Sequence, residues 1–438
     1  MFTFWRLLGV TMRVFYGWWI VLAAFLNLFF AVGILFYGFP VFYPSMIESL
    51  GFTRAQLTLG FLLGFTVAAL LFGVLAGVLI DRLGARRVIW VGIWFVGFSL
   101  ILMGHMTRLW QYYLLCITEV VGYVLTGPIP NQVLIANWFR LKRGRAMGSA
   151  YLGLGLSGVI SPLLINRLIQ SFGWRHALEI VGTLILVVLF PVAHWITRSS
   201  PRDLNLLPDG LAAQVQEAHS SPDSALNASP ADDSASGAEV GRAVRSRNFW
   251  LILAGCTLTI GAIGAVTQHL ILFLKDQGYS LSAASRVASA VLASSLAGRV
   301  IVGHFADRYS RKNVMALFYL VLALAIPLLF LGHRPAAVWG FALVFGFALG
   351  ADYMLIPLVT AECFGLPALG RLLSLIIMGY SLGQWFAPWV TGRIFDTYRS
   401  YDLAWGIMAV AALVGAGTVY AIRPERETRV ILDQAPGS

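Results

Sequence analysis

Charged side chains are scarce. Lys, Arg, Asp and Glu make up 12% of the 438 residues, against 58% hydrophobic ones, and the mean hydropathy is +0.78. Such a chain cannot clothe an ordinary water-exposed surface, which excludes a soluble globular protein and assigns the chain to lipid. Cysteine is scarcer still. Cys116, Cys256 and Cys363 are the three present, each in or beside an apolar run and at no metal-ligand spacing, so they read as small buried hydrophobes. The seven histidines form no metal-binding pair, and no serine stands in a nucleophile-elbow pattern. An enzyme is therefore not expected, and no cofactor or metal is called for. No cleavable leader is expected either: the first apolar run, from about Val14, is too long for a signal core and has no small-residue cleavage pattern behind it.

Acidic charge is the minority sign, with 20 Asp and Glu against 31 Lys and Arg and a formal net charge of +11. A nucleic-acid-binding face would cluster its basic residues among polar and aromatic ones. Here they sit in short turns between apolar spans, which excludes nucleic acid as a partner and matches the positive-inside rule. Runs long enough to cross roughly 30 Å of hydrocarbon lie near 14–42, 55–80, 87–106, 110–137, 145–170, 176–197, 249–275, 283–306, 313–332, 336–363, 370–396 and 402–422. An N-terminus in the cytoplasm puts 21 basic residues inside and 9 outside, with Arg299 within a span. That asymmetry sets the expected topology, a multi-pass protein of the plasma (inner) membrane with both termini cytoplasmic.

The expected fold is an all-α membrane protein of twelve transmembrane helices in two pseudo-symmetric six-helix bundles, working as a monomer. The bundles span 1–198 and 248–423. Between them, residues 199–247 are polar, with Ser220, Ser221, Asp223, Asp232 and Asp233 and almost no aromatics, and read as a disordered cytoplasmic linker. Residues 424–438 form a cytoplasmic tail. The pseudo-symmetry is written in the sequence at an offset of about 226 residues. Gly77, Asp81, Arg82, Gly84, Arg86 and Arg87 answer to Gly303, Asp307, Arg308, Arg311 and Lys312, while Gly153 maps to Gly379, Arg145 to Arg371, Pro162 to Pro388 and Arg167 to Arg393. Gly51 falls one step off Gly278. Hydrophobic halves repeated head to tail, each punctuated by a charged turn, are the mark of a duplicated membrane transporter.

The Gly-x-x-x-Asp-Arg-x-Gly-x-Arg-Arg run from Gly77 to Arg87 resembles the signature between helices two and three of the major facilitator superfamily, and the copy at Gly303 to Lys312, with Ser310 in place of Gly84, resembles its second-half counterpart. A carboxylate at a helix end attracts a neighbouring helix N-terminus and nearby arginines, so Asp81, Arg82, Arg86, Asp307 and Arg308 form a candidate conformational latch. Tyr16-Gly17-Trp18-Trp19, the Trp138 to Gly148 run that opens helix five, and Gly298-Arg299-x-x-x-Gly303 resemble the monocarboxylate transporters and the related oxalate/formate antiporters. That resemblance implies alternating-access transport of small organic anions, with a proton or by exchange.

Arg299 carries the chemistry. It lies about sixteen residues into its span, where a guanidinium costs roughly 2.5–3.5 kcal/mol on insertion scales unless it meets a wet cavity or a partner. Its symmetry mate is Gly73, so the scaffold does not require a base there, and a planar guanidinium grips a carboxylate bidentately. Two features depart from the animal-type monocarboxylate pattern: Ser295 stands where that family has an aspartate, and its first-helix lysine is replaced in the apolar surroundings of Phe36. Asp352 and Glu119 are the candidate proton carriers instead, and His269, near the outer mouth, is a candidate gate or pH-sensitive residue. Tyr37, Tyr123, Asn131, Tyr353, Tyr380 and Gln384 are polar groups inside apolar spans and candidates to line the same cavity, as is Gln268. The competing reading is a proton-coupled antiporter exporting amphipathic cations, since the glycines and Ser161-Pro162 of helix five resemble the drug-antiporter pattern. A guanidinium at the centre suits a cation poorly.

Overall fold

The computed structural model describes residues 15–72, 79, 82–204, 206–209, 240–350, 352–365 and 369–423, without the side chains at 69–72, 300, 303, 307, 352–354 and 370. Every described element is a helix. Among the described residues, eight stretches are long and apolar enough to cross a membrane, and the longest, Arg143–Ile196, is two spans that reverse at Gly173. The helices are α1 (Gly17–Leu50), α2 (Arg54–Phe72), α3 (Ala85–Gly104), α4 (Leu109–Trp138), α5 (143–172), α6 (174–196), α7 (Arg247–Asp276), α8 (Leu281–Arg308), α9 (Arg311–Leu331), α10 (Pro335–Leu349 continued by Asp352–Phe364), α11 (Leu369–Tyr398) and α12 (Asp402–Tyr420). Together they make two bundles of six.

The repeat has a backbone cause. Gly51 and Gly278 both hold φ near +70 to +90° (68° and 86°), a conformation that is cheap for glycine alone. Two residues after each, Thr53 and Ser280 take up the first amides of α2 and α8, through Gln56 N at 3.2 Å and Ala283 N at 3.2 Å. Glycine is not repeated where the geometry does not demand it. Gly84 has φ 81°, whereas its mate Ser310 has φ −54°.

Small residues let the helices of each half touch backbone to backbone. A Cβ on Gly153 of α5 would lie 2.3 Å from the Phe25 carbonyl of α1, and one on Gly264 of α7 would lie 2.2 Å from the Gln384 carbonyl of α11. Lipid offers no hydrophobic drive between helices, so close packing of this kind holds each bundle together.

Several spans are not straight. α1 passes through a π-helical stretch, Leu28–Gly38, and a 3-10 turn, Phe39–Phe42, which re-aims Phe36 and Tyr37. α4 breaks at Gly127–Pro128. Asn131 repairs that break by donating from Nδ2 to the carbonyls of Thr126 (2.6 Å) and Gly127 (2.7 Å), while Asn27 of α1 donates to its Oδ1 (3.2 Å).

The linker begins and ends in ordered structure rather than in disorder from residue 199. Pro201–Leu204 is a 3-10 turn. The Asp209 carboxylate accepts from the amides of Arg140 and of Lys142, the latter at 2.9 Å, pinning the segment to the α4–α5 turn. Residues 240–245 are helical. Residues 210–239 lie outside the described residues.

Candidate functional site

One pole of the molecule carries the turn from Arg82 to Arg87 and the end of α6 packed on it; call it the basic pole, and its opposite the far pole. At the far pole the two halves are bolted together. Arg54, at the start of α2, donates from Nη1 and Nη2 to the two Asp276 carboxylate oxygens at the end of α7 (2.6 and 2.7 Å) and from Nη1 to Tyr401 Oη (2.6 Å). Its guanidinium also lies 3.5 Å above the Phe395 ring. Asp396 of α11 accepts from the backbone amides of Arg54 (3.2 Å) and Ala55 (3.0 Å), so a carboxylate from one half caps a helix of the other. A fork-to-fork pair in a half-buried setting, with 12% exposure for Arg54 and 34% for Asp276, is the strong form of an ion pair. Asn166 and Gln170 of α5 add bonds to Ser282 of α8.

Below the bolt lies an aromatic plug. Phe36, Phe61 and Phe65 of the first half surround Trp385 of α11, which stacks on Phe65 at 4.6 Å and 17°, and Tyr123 packs behind them on Phe36 and Phe65. Tyr43 donates to Gln268 Oε1 (3.0 Å) and Gln268 donates to the Phe36 carbonyl (3.3 Å), tying α1 to α7 at the same level. Beyond the plug, toward the basic pole, α5 and α8 meet across the interface between the halves. There the Arg299 guanidinium sits 3.5 Å from the point a Gly155 Cβ would occupy. Arg299 is half-buried and, among the described residues, has no hydrogen-bond or ion-pair partner. Nine residues separate it from the end of α8, or about 14 Å at 1.5 Å per residue.

Tyr37 and Tyr123 are half-buried near this plug, Tyr380 is buried in α11, and Gln384 is half-buried one residue before Trp385. Glu119 is buried in α4, and its Oε2 has no hydrogen-bond partner among the described residues. The backbones of Asp352 and Tyr353 open the second limb of α10; their side chains lie outside the described residues, as do the Asp307 side chain and Asp81 altogether. Ser295 donates within its own helix to the Leu292 carbonyl (2.7 Å).

Three expectations change. Asn131 does not present its amide to a cavity, because each polar atom is spent on the α4 break and on Asn27. His269 does not line a mouth. It is fully buried, with Nδ1 at 3.0 Å from Tyr401 Oη and Nε2 at 2.8 Å from the Pro388 carbonyl. A carbonyl only accepts, so Nε2 carries the proton and Nδ1 accepts from Tyr401, which in turn accepts from Arg54. His269 thus buttresses the bolt from behind. Arg86, expected in a latch between halves, is spent within its own half, its Nε donating to Ala193 O (3.2 Å) and its Nη2 to His194 O at the end of α6. Arg82 and Arg308 are exposed at the basic pole.

Sequence reasoning missed Arg54, Asp276, Asp396, Tyr401 and Trp385. The first three are ordinary loop charges when read one at a time. The signal available was their position: each stands within two residues of the Gly51–Thr53 and Gly278–Ser280 turns or near the end of α11, at the same pole.

The family model of the Major Facilitator Superfamily matches residues 20–351 and 284–436. The chain belongs to this superfamily. It is 26% identical over 367 residues to the MFS transporter asaE of Aspergillus flavus, covering 79% of this chain and 75% of that one. It is also 26% identical over 357 residues to the fujikurins efflux protein of Gibberella fujikuroi, covering 79% and 69%. Among solved structures, the D-xylose-proton symporter superposes with a TM-score of 0.66 at 18% identity, covering 94% of this chain and 99% of that one. A bacterial homologue of the human lysosomal transporter Spinster, inward-facing and unoccupied, gives 0.64 at 16%, covering 92% and 93%. At these identities the likeness is one of fold. The superfamily makes the chain a multi-pass secondary transporter of small molecules and not an enzyme. The narrower likeness to monocarboxylate carriers is a separate matter, since these relatives are fungal transporters, one of them named for efflux.

Proposed function

We propose that this transporter carries organic anions, taking the carboxylate or equivalent acid group at Arg299 and the apolar body against the aromatic plug. The observation that carries this reading is a guanidinium at the interface between the halves with no hydrogen-bond or ion-pair partner among the described residues. A cation held in a membrane interior needs an anion, and a site shared by both halves is where alternating access requires the substrate to sit. The basic pole faces the cytoplasm on this reading, because it gathers the basic turns, and the bolted far pole faces outward.

The proton, where one is moved, is carried by Glu119 or Asp352. Glu119 is a carboxyl in an apolar wall beside Tyr43, which bonds to the other half, so its protonation state can be felt by the far-pole closure. Export of larger amphipathic molecules is the second reading, favoured by the relatives' names and by the size of the plug. The test is uptake into proteoliposomes of matched pairs, an aromatic or aliphatic acid and its amide or methyl ester. Transport of the acid alone, lost in Arg299→Gln, supports the anion reading. Equal transport of acid and ester, unaffected by Arg299→Gln, supports the second.

A further inference from the structure

One cavity lies apart from Arg299 and the aromatic plug. At the basic pole, between the start of α3 and the end of α6, Arg82, Arg86, Arg87, Trp90, His194 and Asp203 are among the residues around a space of about 510 Å³. Among the described residues that line it, three are arginines and one is a carboxylate. Arg86 already caps α6 through Ala193 and His194, but Arg82 and Arg87 are exposed and have no hydrogen-bond or ion-pair partner among the described residues. Among the described residues the cavity therefore carries an excess of positive charge, with two free planar forks.

Its outer wall continues into the membrane. The Trp90 ring lies 5.2 Å from Phe190, Phe190 lies 5.3 Å from Trp94, and Trp94 stacks on Phe98 at 5.0 Å and 14°. Trp90 and Phe98 are 36% and 46% exposed on a helix whose surroundings are lipid. From residue 90 to residue 98 this ladder runs about 12 Å along the helix axis. Tryptophan at the rim of a span marks the headgroup level.

We propose that this cavity binds the phosphate headgroup of an anionic membrane phospholipid, with an acyl chain lying along the Trp90–Phe98 ladder. Arginine forks match phosphate oxygens bidentately, and basic pockets between spans at a membrane surface select anionic headgroups. A free phosphate ion shares the headgroup chemistry but gains nothing from the ladder.

Native mass spectrometry of the purified full-length protein, titrated with phosphatidylglycerol, phosphatidylcholine or sodium phosphate, tests this. The expected result is one saturable phosphatidylglycerol site, about tenfold or more tighter than phosphatidylcholine. That preference is lost in Arg82→Gln/Arg87→Gln, weakened in Arg82→Lys/Arg87→Lys, which keep the charge without the fork, and kept in the remote control Arg308→Gln/Arg311→Gln. Trp90→Ala weakens the lipid several-fold. Unchanged phosphatidylglycerol preference in the Arg82→Gln/Arg87→Gln variant, or equal loss in the remote control, overturns the proposal. Inorganic phosphate binding as tightly as the lipid overturns the lipid assignment.

Discussion

A buried polar side chain in a membrane protein is either satisfied by its neighbours or held for something that arrives, and single residues here divide along that line. Asn131 is satisfied, with three hydrogen bonds at the α4 break. Asn131→Ala should cost about 1–3 kcal/mol, seen as a lower unfolding temperature in detergent, while the folded fraction still transports. Lost transport with unchanged stability would make it a ligand contact after all. Glu119 is not satisfied at Oε2. If protons are coupled through it, uptake rises as external pH falls, and Glu119→Gln flattens that slope while substrate-for-substrate exchange persists. Asp352→Asn is the parallel experiment, and whichever variant keeps the wild-type pH profile is excluded as the proton site. The sequence alone singled out Arg299 and Glu119, since an ionisable residue inside an apolar run is conspicuous. It did not separate Asn131 from a ligand, because a satisfied amide and a waiting one are spelled the same way.

Helices were legible and their joins were not. Lipid forces each spanning backbone to satisfy itself, so twelve apolar runs translate directly into twelve spans. The π-helical stretch of α1 and the split of α10 depend on packing, which hydropathy does not encode. The pinned start of the linker escaped notice for a similar reason: a polar, serine-rich composition gives no hint that Asp209 caps the α4–α5 turn. The bolt between α2, α7 and α11 also belongs to this scale. Arg54→Gln removes the fork to Asp276 and the contact with Tyr401, and should shift the balance toward an open far pole by about 1–3 kcal/mol, several-fold or more in population. Thiol labelling of a cysteine placed at Ser282 should quicken accordingly. The charge swap Arg54→Asp/Asp276→Arg should restore slow labelling in part; labelling as slow in Arg54→Gln as in the parent would remove the bolt from the mechanism. His269→Phe, which keeps the bulk and loses both bonds, should loosen the same closure less than Arg54→Gln does. At the basic pole, Asp81→Asn should lower the maximal rate more than the apparent affinity, and a pure affinity loss would sink the latch reading.

The whole molecule is two similar bundles that meet along α5–α8, α2–α11 and α1–α7, with polar bonds at the far pole, an aromatic plug beneath them and the Arg299 guanidinium beyond the plug. The duplication was readable from the 226-residue offset, and it is what makes Arg299 informative: the scaffold is repeated there and the charge is not. Substrate chemistry was less readable, because an arginine specifies an acid group and says little about the body attached to it. The most direct measurement is uptake of an aromatic acid and its methyl ester into proteoliposomes holding the wild type, Arg299→Lys or Arg299→Gln, with thermal unfolding run alongside. An organic-anion carrier that grips its substrate at Arg299 moves the acid and not the ester, slows sharply in Arg299→Lys for want of the fork, and stops in Arg299→Gln without losing stability. Acid uptake by Arg299→Gln at the wild-type rate would contradict it.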